Sequence, residues 1–195
     1  MEILKIIFAV LGTVVFIFGY VPYFRDIFKK RTKPHAYTWL IWSITQGTAA
    51  AGILYGGGGV GATQLIVGLI LVFLVFVLSL KYGTKNITWH DTVLLILALI
   101  AVFVWWQLHD AALSMLMVTG IDALGYIPSY RKSWQNPWDE TLSSWLIFSV
   151  GNVFAIMALE KYNLLTFSYL LMSITLNIIM IFLCAWRRRR IPKPA

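Results

Sequence analysis

Apolar residues in this chain come in long runs that are separated by short polar segments. Seven of these runs approach the roughly 20 residues that an α-helix needs to cross a hydrocarbon core of about 30 Å. A helix satisfies its own backbone hydrogen bonds in lipid, and the alternation typical of a membrane β-strand is absent. We therefore predict an all-α integral membrane protein with seven transmembrane helices. They cover approximately Ile3–Tyr23, Tyr37–Tyr55, Gly61–Leu80, Asp91–Trp106, Ala111–Tyr130, Ser143–Leu159 and Leu164–Trp186.

Two stretches of the chain repeat each other. The segment GYVPYFRDIFKKRTKPHAYTWLIW begins at Gly19, and GYIPSYRKSWQNPWDETLSSWLIF begins 106 positions later at Gly125. Aligned without gaps, Gly19–Ala49 and Gly125–Ala155 share glycine, tyrosine, proline, arginine and tryptophan in one register. Membrane composition inflates chance matches among Leu, Ile and Val, but it does not explain these. We interpret the repeat as an internal duplication.

The number of helices between the two copies determines whether the copies have the same or opposite orientation in the membrane. Helices 1–3 form one unit and helices 5–7 the other, so the single helix between them makes the units parallel. Parallel repeats in transporters are related by an axis along the membrane normal. We predict a 3+1+3 architecture of parallel three-helix repeats. The first repeat covers residues 1–85, the linker helix 86–108, and the second repeat with a basic C-terminal tail 109–195.

Composition agrees with a membrane location, and the charges orient the chain. Of 195 residues, 59% are hydrophobic and 12% are charged, about half the charged fraction of soluble domains. With the N-terminus outside, 14 of the 16 Lys and Arg residues fall on inner segments, as the positive-inside rule requires. The net charge of +8 is therefore a topology signal and not a sign of nucleic-acid binding. We expect a plasma (inner) membrane protein with its N-terminus outside and its C-terminus cytoplasmic.

Helices 2 and 6 carry matched polar and aromatic positions near the middle of the membrane. Trp42 and Gln46 share one face of helix 2, and Phe148 and Asn152 repeat the pattern in helix 6. The two amides lie roughly 13–15 Å from the inner helix end, close to the midplane where parallel-repeat transporters bind substrate. Two hypotheses remain for the amides: they line a substrate pocket, or they hold neighbouring helices together.

Four further positions lie near the inner ends of helices. Trp39 and Trp145 stand at helix starts, where tryptophan is typical of the interfacial belt, and we favour that location for them. The alternative is that they belong to the aromatic face of a substrate pocket. Pro22 and Pro128 leave backbone carbonyls unpaired and are predicted to act as hinges in helices 1 and 5. A static kink at these prolines is the alternative.

Asp122 lies deep within the fifth predicted helix, where a carboxylate costs about 2.5–3.5 kcal/mol on the insertion scale. Tyr126 follows one turn later on the same face, and the helix 1 counterparts of this pair are Phe16 and Tyr20. Asn177 is another midplane polar group, in helix 7. Three hypotheses for Asp122 stay open: proton coupling, a hydrogen bond to substrate, or a buried structural acid paired with Tyr or Asn. The predicted substrate-binding residues are Tyr20, Trp42, Gln46, Asp122, Tyr126, Phe148, Asn152 and Asn177.

The two repeated segments resemble the SWEET, SemiSWEET and PQ-loop (MtN3-like) transporter superfamily. In that group a proline near the cytoplasmic end of the first helix precedes a basic loop and a second helix, as Pro22 does here. The 3+1+3 plan with an outer N-terminus is also similar. Tyr23 and Ser129 follow the prolines where the family has glutamine. The resemblance implies transport of sugars, amino acids or nucleoside-like vitamins, with the KDEL receptors as binding relatives.

The patterns together favour a transporter of a small polar solute that works by alternating access, as a uniporter or coupled to protons. The alternative is a non-transporting membrane receptor or ligand-binding protein of the same fold. We do not expect an enzyme, because His35, His90 and His109 lie at helix ends on two sides of the membrane and cannot surround one metal ion. The expected partners are a small-molecule solute and the lipid bilayer, with no cofactor, no metal and no nucleic acid.

Overall fold

The computed structural model describes residues 2–84, 87–108 and 111–193. Over these ranges the chain forms seven α-helices and two short 3₁₀ turns, and no β-strand occurs within them. The α-helices are α1 (Glu2–Phe28), α2 (Ala36–Tyr55), α3 (Thr63–Tyr82), α4 (Trp89–Leu108), α5 (Ala111–Gln135), α6 (Leu142–Ala158) and α7 (Leu164–Arg188). The 3₁₀ turns are Gly59–Ala62 before α3 and Pro137–Asp139 before α6. The prediction of seven helices and an all-α chain is confirmed for the described ranges.

Two helices extend beyond the apolar runs that predicted them. α1 continues to Phe28 and α5 to Gln135, although Pro22 and Pro128 lie inside them. A hydropathy run marks how far the chain stays apolar, whereas backbone hydrogen bonding continues into polar residues. A proline removes one backbone donor and leaves the remaining ladder in place, so both helices continue past it. The hinge role of the two prolines stays a prediction.

Three helical segments are long and apolar enough to cross a membrane, within the part of the chain that the structure describes. They are Glu2–Phe28, Gly59–Tyr82 and Leu164–Arg188, with mean hydropathies of 2.3, 2.7 and 2.1. Only 28%, 33% and 28% of their apolar windows are buried inside the protein, and side chains such as Phe18 and Phe182 face outward. A continuous apolar exterior of this kind marks a surface that contacts lipid or a partner. The chain is therefore a candidate membrane protein.

The first three and the last three helices pack in the same pattern. α3 contacts both α1 and α2, and α7 contacts both α5 and α6. Across the two sets, α1 packs along α6 and α5 packs along α2. α4 packs against α5 and α2. If each helix of one set is exchanged with its counterpart in the other, the pattern of contacts within and between the sets is preserved.

Two equivalent glycines allow the cross-set helix pairs to approach closely. A Cβ atom on Gly19 of α1 would lie 2.7 Å from the ring of Phe148 in α6. A Cβ atom on Gly125 of α5 would lie 3.1 Å from both Ile41 and Trp42 in α2. These contacts are related by the same 106-residue offset as the sequence repeat. Repeated residues thus occupy equivalent packing positions, while the exact domain boundaries stay a prediction.

Candidate functional site

A cavity of about 40 Å³ lies where the two sets of helices meet. Thirteen side chains line it, of which eight are aromatic, four are polar or charged and one is aliphatic. The lining residues are Phe16, Tyr20, Trp39, Trp42, Gln46, Val72, Asp122, Tyr126, Trp145, Phe148, Tyr169, Ser173 and Asn177. Seven of the eight residues predicted to bind substrate belong to this lining, and Asn152 does not. All helices except α4 contribute to the cavity wall.

Aromatic rings form a connected cluster around the cavity. The ring of Phe148 lies 4.6 Å from that of Tyr20 and 5.1 Å from that of Phe16, measured between centroids. On the other side, the ring of Trp42 lies 4.5 Å from that of Tyr126. These helices bring large rings together because the repeat places aromatic residues on the inward faces of α1, α2, α5 and α6. The cavity therefore has rigid walls that suit an apolar or cationic group.

Asp122 is the one acidic residue in the cavity lining, and it is 4% exposed. Its Oδ1 accepts hydrogen bonds from the hydroxyl of Thr45 at 2.5 Å and from the hydroxyl of Tyr169 at 3.0 Å. The indole nitrogen of Trp42 donates to its backbone carbonyl at 3.3 Å. The carboxylate is thus held by neutral donors from α2 and α7. The sequence predicted a tyrosine or asparagine partner without identifying it, and the structural interpretation stays open beside the other two.

One face of α7 supplies the polar part of the cavity wall. Tyr169, Ser173 and Asn177 are spaced four residues apart and so share a face of the helix. The hydroxyl of Tyr126 donates to Asn177 Oδ1 at 2.7 Å, which connects α5 to α7. Sequence reasoning identified Asn177 but missed Tyr169. The four-residue spacing of these side chains was the signal that could have revealed the whole face.

The matched amides of α2 and α6 have different surroundings. Gln46 lines the cavity, and its side-chain nitrogen donates to the carbonyl of Leu65 in α3 at 2.9 Å. Asn152 lies behind the lining, where it accepts from Gln64 at 2.6 Å and donates to Ser173 at 3.0 Å. The structure therefore does not bring the two amides together into one polar pair. The hydrogen bond from Asn152 to Ser173 connects this amide to a residue of the cavity lining.

Trp39 and Trp145 do not lie in an interfacial belt, and that prediction is wrong. Each is only 2% exposed, and both line the cavity. The ring of Trp39 lies 5.1 Å from that of Tyr23, and the indole nitrogen of Trp145 donates to Glu140 Oε2 at 3.1 Å. Packing of α1 along α6 and of α5 along α2 brings these faces into the bundle. A tryptophan that stands at a helix start in the sequence is thereby enclosed by helices.

A buried ion pair holds the segment that precedes α6. Lys132 of α5 pairs with Glu140, and the side chains are 2% and 1% exposed. Arg188 of α7 donates to the Glu140 carbonyl at 2.6 Å, and the hydroxyl of Thr141 donates to Asp26 of α1 at 3.0 Å. The ends of α1, α5 and α7 are therefore joined beneath Trp145. Sequence reasoning treated Lys132 only as a topology charge.

A second ion-pair cluster joins α4 to α5 and α2. Asp91 in the first turn of α4 is fully buried and accepts two hydrogen bonds from the guanidinium of Arg131, at 3.1 and 2.8 Å. His35 Nε2, at the N-cap of α2, lies 3.4 Å from Asp91 Oδ2. The backbone N–H of Thr88 also donates to Asp91, at 2.7 Å. This cluster anchors α4 to both sets of helices, through Arg131 of α5 and through His35 before α2.

Among the residues that the structure describes, no three His, Cys, Asp or Glu side chains are grouped to hold a metal ion. His109 and Lys85 lie outside these residues. No family model, no curated protein and no solved structure matches the chain. The case for a function therefore rests on the geometry and chemistry of the cavity.

Proposed function

We propose that this protein is a membrane transporter for a small polar solute, related to the SWEET and PQ-loop superfamily that its repeats resemble. The observation that carries the proposal is the cavity between two equivalently packed sets of three helices, to which both sets contribute. Transporters built from two repeats bind substrate near the midplane at the interface between the repeats. Seven of the eight predicted solute contacts, from α1, α2, α5, α6 and α7, line this cavity, which supports the proposal.

In this proposal all seven helices cross the plasma membrane in a 3+1+3 arrangement, with the N-terminus outside. The set α1–α3 rocks against the set α5–α7, and α4 links them. At Gly19 and Gly125 the absence of a side chain lets α1 move against α6 and α5 move against α2. Pro22 and Pro128 act as hinges. The buried pair formed by Lys132 and Glu140 holds the inner side closed, so opening to the cytoplasm requires this segment to move.

The test is solute counterflow in proteoliposomes that contain the purified full-length chain. Labelled sugars, amino acids, nucleosides and amines are offered in turn, and at least one should show saturable exchange. Asp122→Asn should lower that exchange at least tenfold, because the carboxylate lines the cavity. The matched control is Thr175→Ala on the exposed side of α7, where the hydroxyl bonds only its own helix. This control should exchange as the parent chain does.

Two outcomes would overturn the proposal. If a solute binds at equilibrium but no counterflow occurs, the chain is a receptor or ligand-binding protein, which is the alternative function for this fold. If Asp122→Asn and Thr175→Ala exchange the solute equally well, the cavity is not the transport site.

A further inference from the structure

The cavity contains a carboxyl group that no cationic side chain in its lining pairs with. Asp122 is 4% exposed, and no Lys, Arg or His is among the thirteen lining residues. A buried ionised carboxylate is unfavourable unless it is paired and hydrogen-bonded, and such pairing is the rule in proteins. Here the two hydroxyl donors, Thr45 and Tyr169, supply hydrogen bonds but no charge. When Asp122 is ionised, no cationic side chain in the cavity lining is its counter-ion, so a positively charged ligand can take that place.

The hydrogen bonds to Asp122 leave one of its oxygens for such a ligand. Both hydroxyls donate to Oδ1, and no donor among the described residues bonds Oδ2. Because Thr45 lies on α2 and Tyr169 on α7, the carboxylate is fixed from two sides. We propose that the cavity binds a small alkylammonium ion, whose N–H groups donate to Asp122 Oδ2 and whose methyl groups lie against the surrounding rings. This inference rests on the proposed function and names the substrate class of its site.

The aromatic wall fits a cation better than a polyhydroxyl solute. Aromatic rings attract cations through their negative faces, and tryptophan and tyrosine do so most strongly. The rings of Trp42 and Tyr126 are tilted at 55° to each other with 4.5 Å between their centroids, and both line the cavity with Asp122. Each hydroxyl of a sugar would need its own hydrogen-bond partner, because burying an unpaired polar group is unfavourable. Eight of the thirteen lining side chains are aromatic, and the hydroxyls of Tyr126 and Tyr169 already donate to Asn177 and Asp122.

All four of the non-aromatic polar lining residues already bond to the protein. Gln46 donates to Leu65, Ser173 accepts from Asn152, Asn177 accepts from Tyr126, and Asp122 accepts from Thr45 and Tyr169. Asp122 is the one acidic residue among them, which matches a ligand with a single charged head. The volume of about 40 Å³ has room for roughly three water-sized groups, so a head of methylammonium size fits the cavity as it stands.

The inference is tested by titrating the full-length chain in lipid nanodiscs with methylammonium chloride, at ionic strength held constant with sodium chloride. Binding is followed by calorimetry and by intrinsic fluorescence, because Trp39, Trp42 and Trp145 all line the cavity. Saturable binding is expected for methylammonium and not for methanol, the neutral molecule of matched size. This comparison needs no variant. Equal binding of methanol, or no saturable binding of methylammonium, overturns the inference.

Variants separate the charge from the rings. Asp122→Asn should weaken methylammonium binding at least tenfold and abolish the preference over methanol. At Tyr126, the Phe variant keeps the ring and loses only the hydrogen bond to Asn177, whereas Tyr126→Leu loses both, so the Leu variant should bind about tenfold more weakly than the Phe variant. Thr175→Ala, on the exposed side of α7, should bind as the parent does. If Tyr126→Phe and Tyr126→Leu bind equally, the rings do not hold the cation and the inference fails.

The inference and the proposed function fail in different ways. Methylammonium binding without counterflow of any amine contradicts transport and leaves the cation site standing. Counterflow of a neutral sugar or nucleoside, without methylammonium binding or competition, supports transport and removes the cation site.

Discussion

Tyr169 donates a hydrogen bond to Asp122, with 3.0 Å between its hydroxyl and the carboxylate Oδ1. This bond joins α7 to α5 at the cavity wall. The repeat places Phe16 at the position equivalent to Asp122, and Phe16 lies instead against Phe148, with 5.1 Å between ring centroids. The two sets of helices therefore pack alike but present different chemistry to the cavity. Two sets of helices with the same packing can in this way form a site whose two sides bind different chemical groups of one solute.

Removing the Tyr169 hydroxyl should lower the stability of the folded protein and leave the cavity shape unchanged. Tyr169→Phe deletes one of the two hydroxyl donors to the Asp122 carboxylate, and we expect a loss of roughly 1–2 kcal/mol in the free energy of unfolding. Unfolding in mixed detergent micelles measures it. The control is Tyr162→Phe, because Tyr162 is 60% exposed and bonds the carbonyl of Ile156. Equal losses of unfolding free energy in the two variants would show that the hydrogen bond to Asp122 stabilises the protein no more than the exposed bond of Tyr162 does.

Breaking the buried ion pair before α6 should be much more damaging than removing both its charges. Lys132→Met leaves Glu140 charged and buried, and the expected loss of stability is about 3–5 kcal/mol. In the double variant Lys132→Met with Glu140→Gln, much of that stability should return, since no unpaired charge remains. Thermal unfolding of both single variants and the double variant completes the cycle.

A matched exposed pair supplies the control for this cycle. Lys33 lies 3.3 Å from Asp139, and its side chain is 48% exposed. Lys33→Met should therefore change stability by no more than about 1 kcal/mol. If Lys132→Met is as mild as Lys33→Met, the Lys132–Glu140 pair does not hold the segment before α6.

The helices and the repeat could be predicted from the sequence, because hydropathy and residue spacing are local properties. The matched positions of Gly19 and Gly125 also followed from alignment alone, and both glycines contact the equivalent residues of the other set. Seven of the eight predicted site residues line one cavity, because residue spacing along a helix fixes depth and helix face. Whether they bind a solute stays a prediction.

Contacts between helices could not be predicted in the same way. Asn152 matches Gln46 in depth, but its partner Gln64 lies in α3, and the repeat equates Gln64 with Leu170. Trp39 and Trp145 were placed in the belt by a statistical preference that packing overrides. The partners of a buried polar group depend on which helices adjoin, and hydropathy carries no information about that.

The close approach at Gly19 gives a graded test of the packing. A Cβ atom there would lie 2.7 Å from the Phe148 ring, and one on Gly125 would lie 3.1 Å from Ile41 and Trp42. We expect Gly19→Ala to destabilise the protein by roughly 1–3 kcal/mol, as overpacking does, and Gly125→Ala to destabilise it less. Gly120→Ala is the control, because nothing lies within 4 Å of its Cβ position. Better helix propensity should make that variant neutral or up to about 1 kcal/mol more stable. If Gly120→Ala lowers stability as much as Gly19→Ala does, the close approach of α1 to α6 at Gly19 is not the cause of the loss.

Cysteine labelling in intact cells tests the proposed orientation and the number of crossings together. The native Cys184 is fully buried, and Cys184→Ala provides a background without thiols. Tyr55→Cys, at the last residue of α2, starts from a side chain that is 77% exposed. A membrane-impermeant maleimide should label it without permeabilisation. Lys30→Cys, in the turn between α1 and α2, should react only after the membrane is opened.

The labelling pattern separates the proposed arrangement from its competitors because α2 lies between the two sites. If α2 crosses the membrane, Lys30→Cys and Tyr55→Cys react from opposite sides. If only the three most apolar segments crossed, both sites would follow α1 on the same side, and the two variants would label alike. Reversed labelling, with Lys30→Cys reactive in intact cells, would place the N-terminus inside and contradict the charge-based orientation. The expected pattern therefore requires both that α2 spans the membrane and that the basic segment after α1 is cytoplasmic.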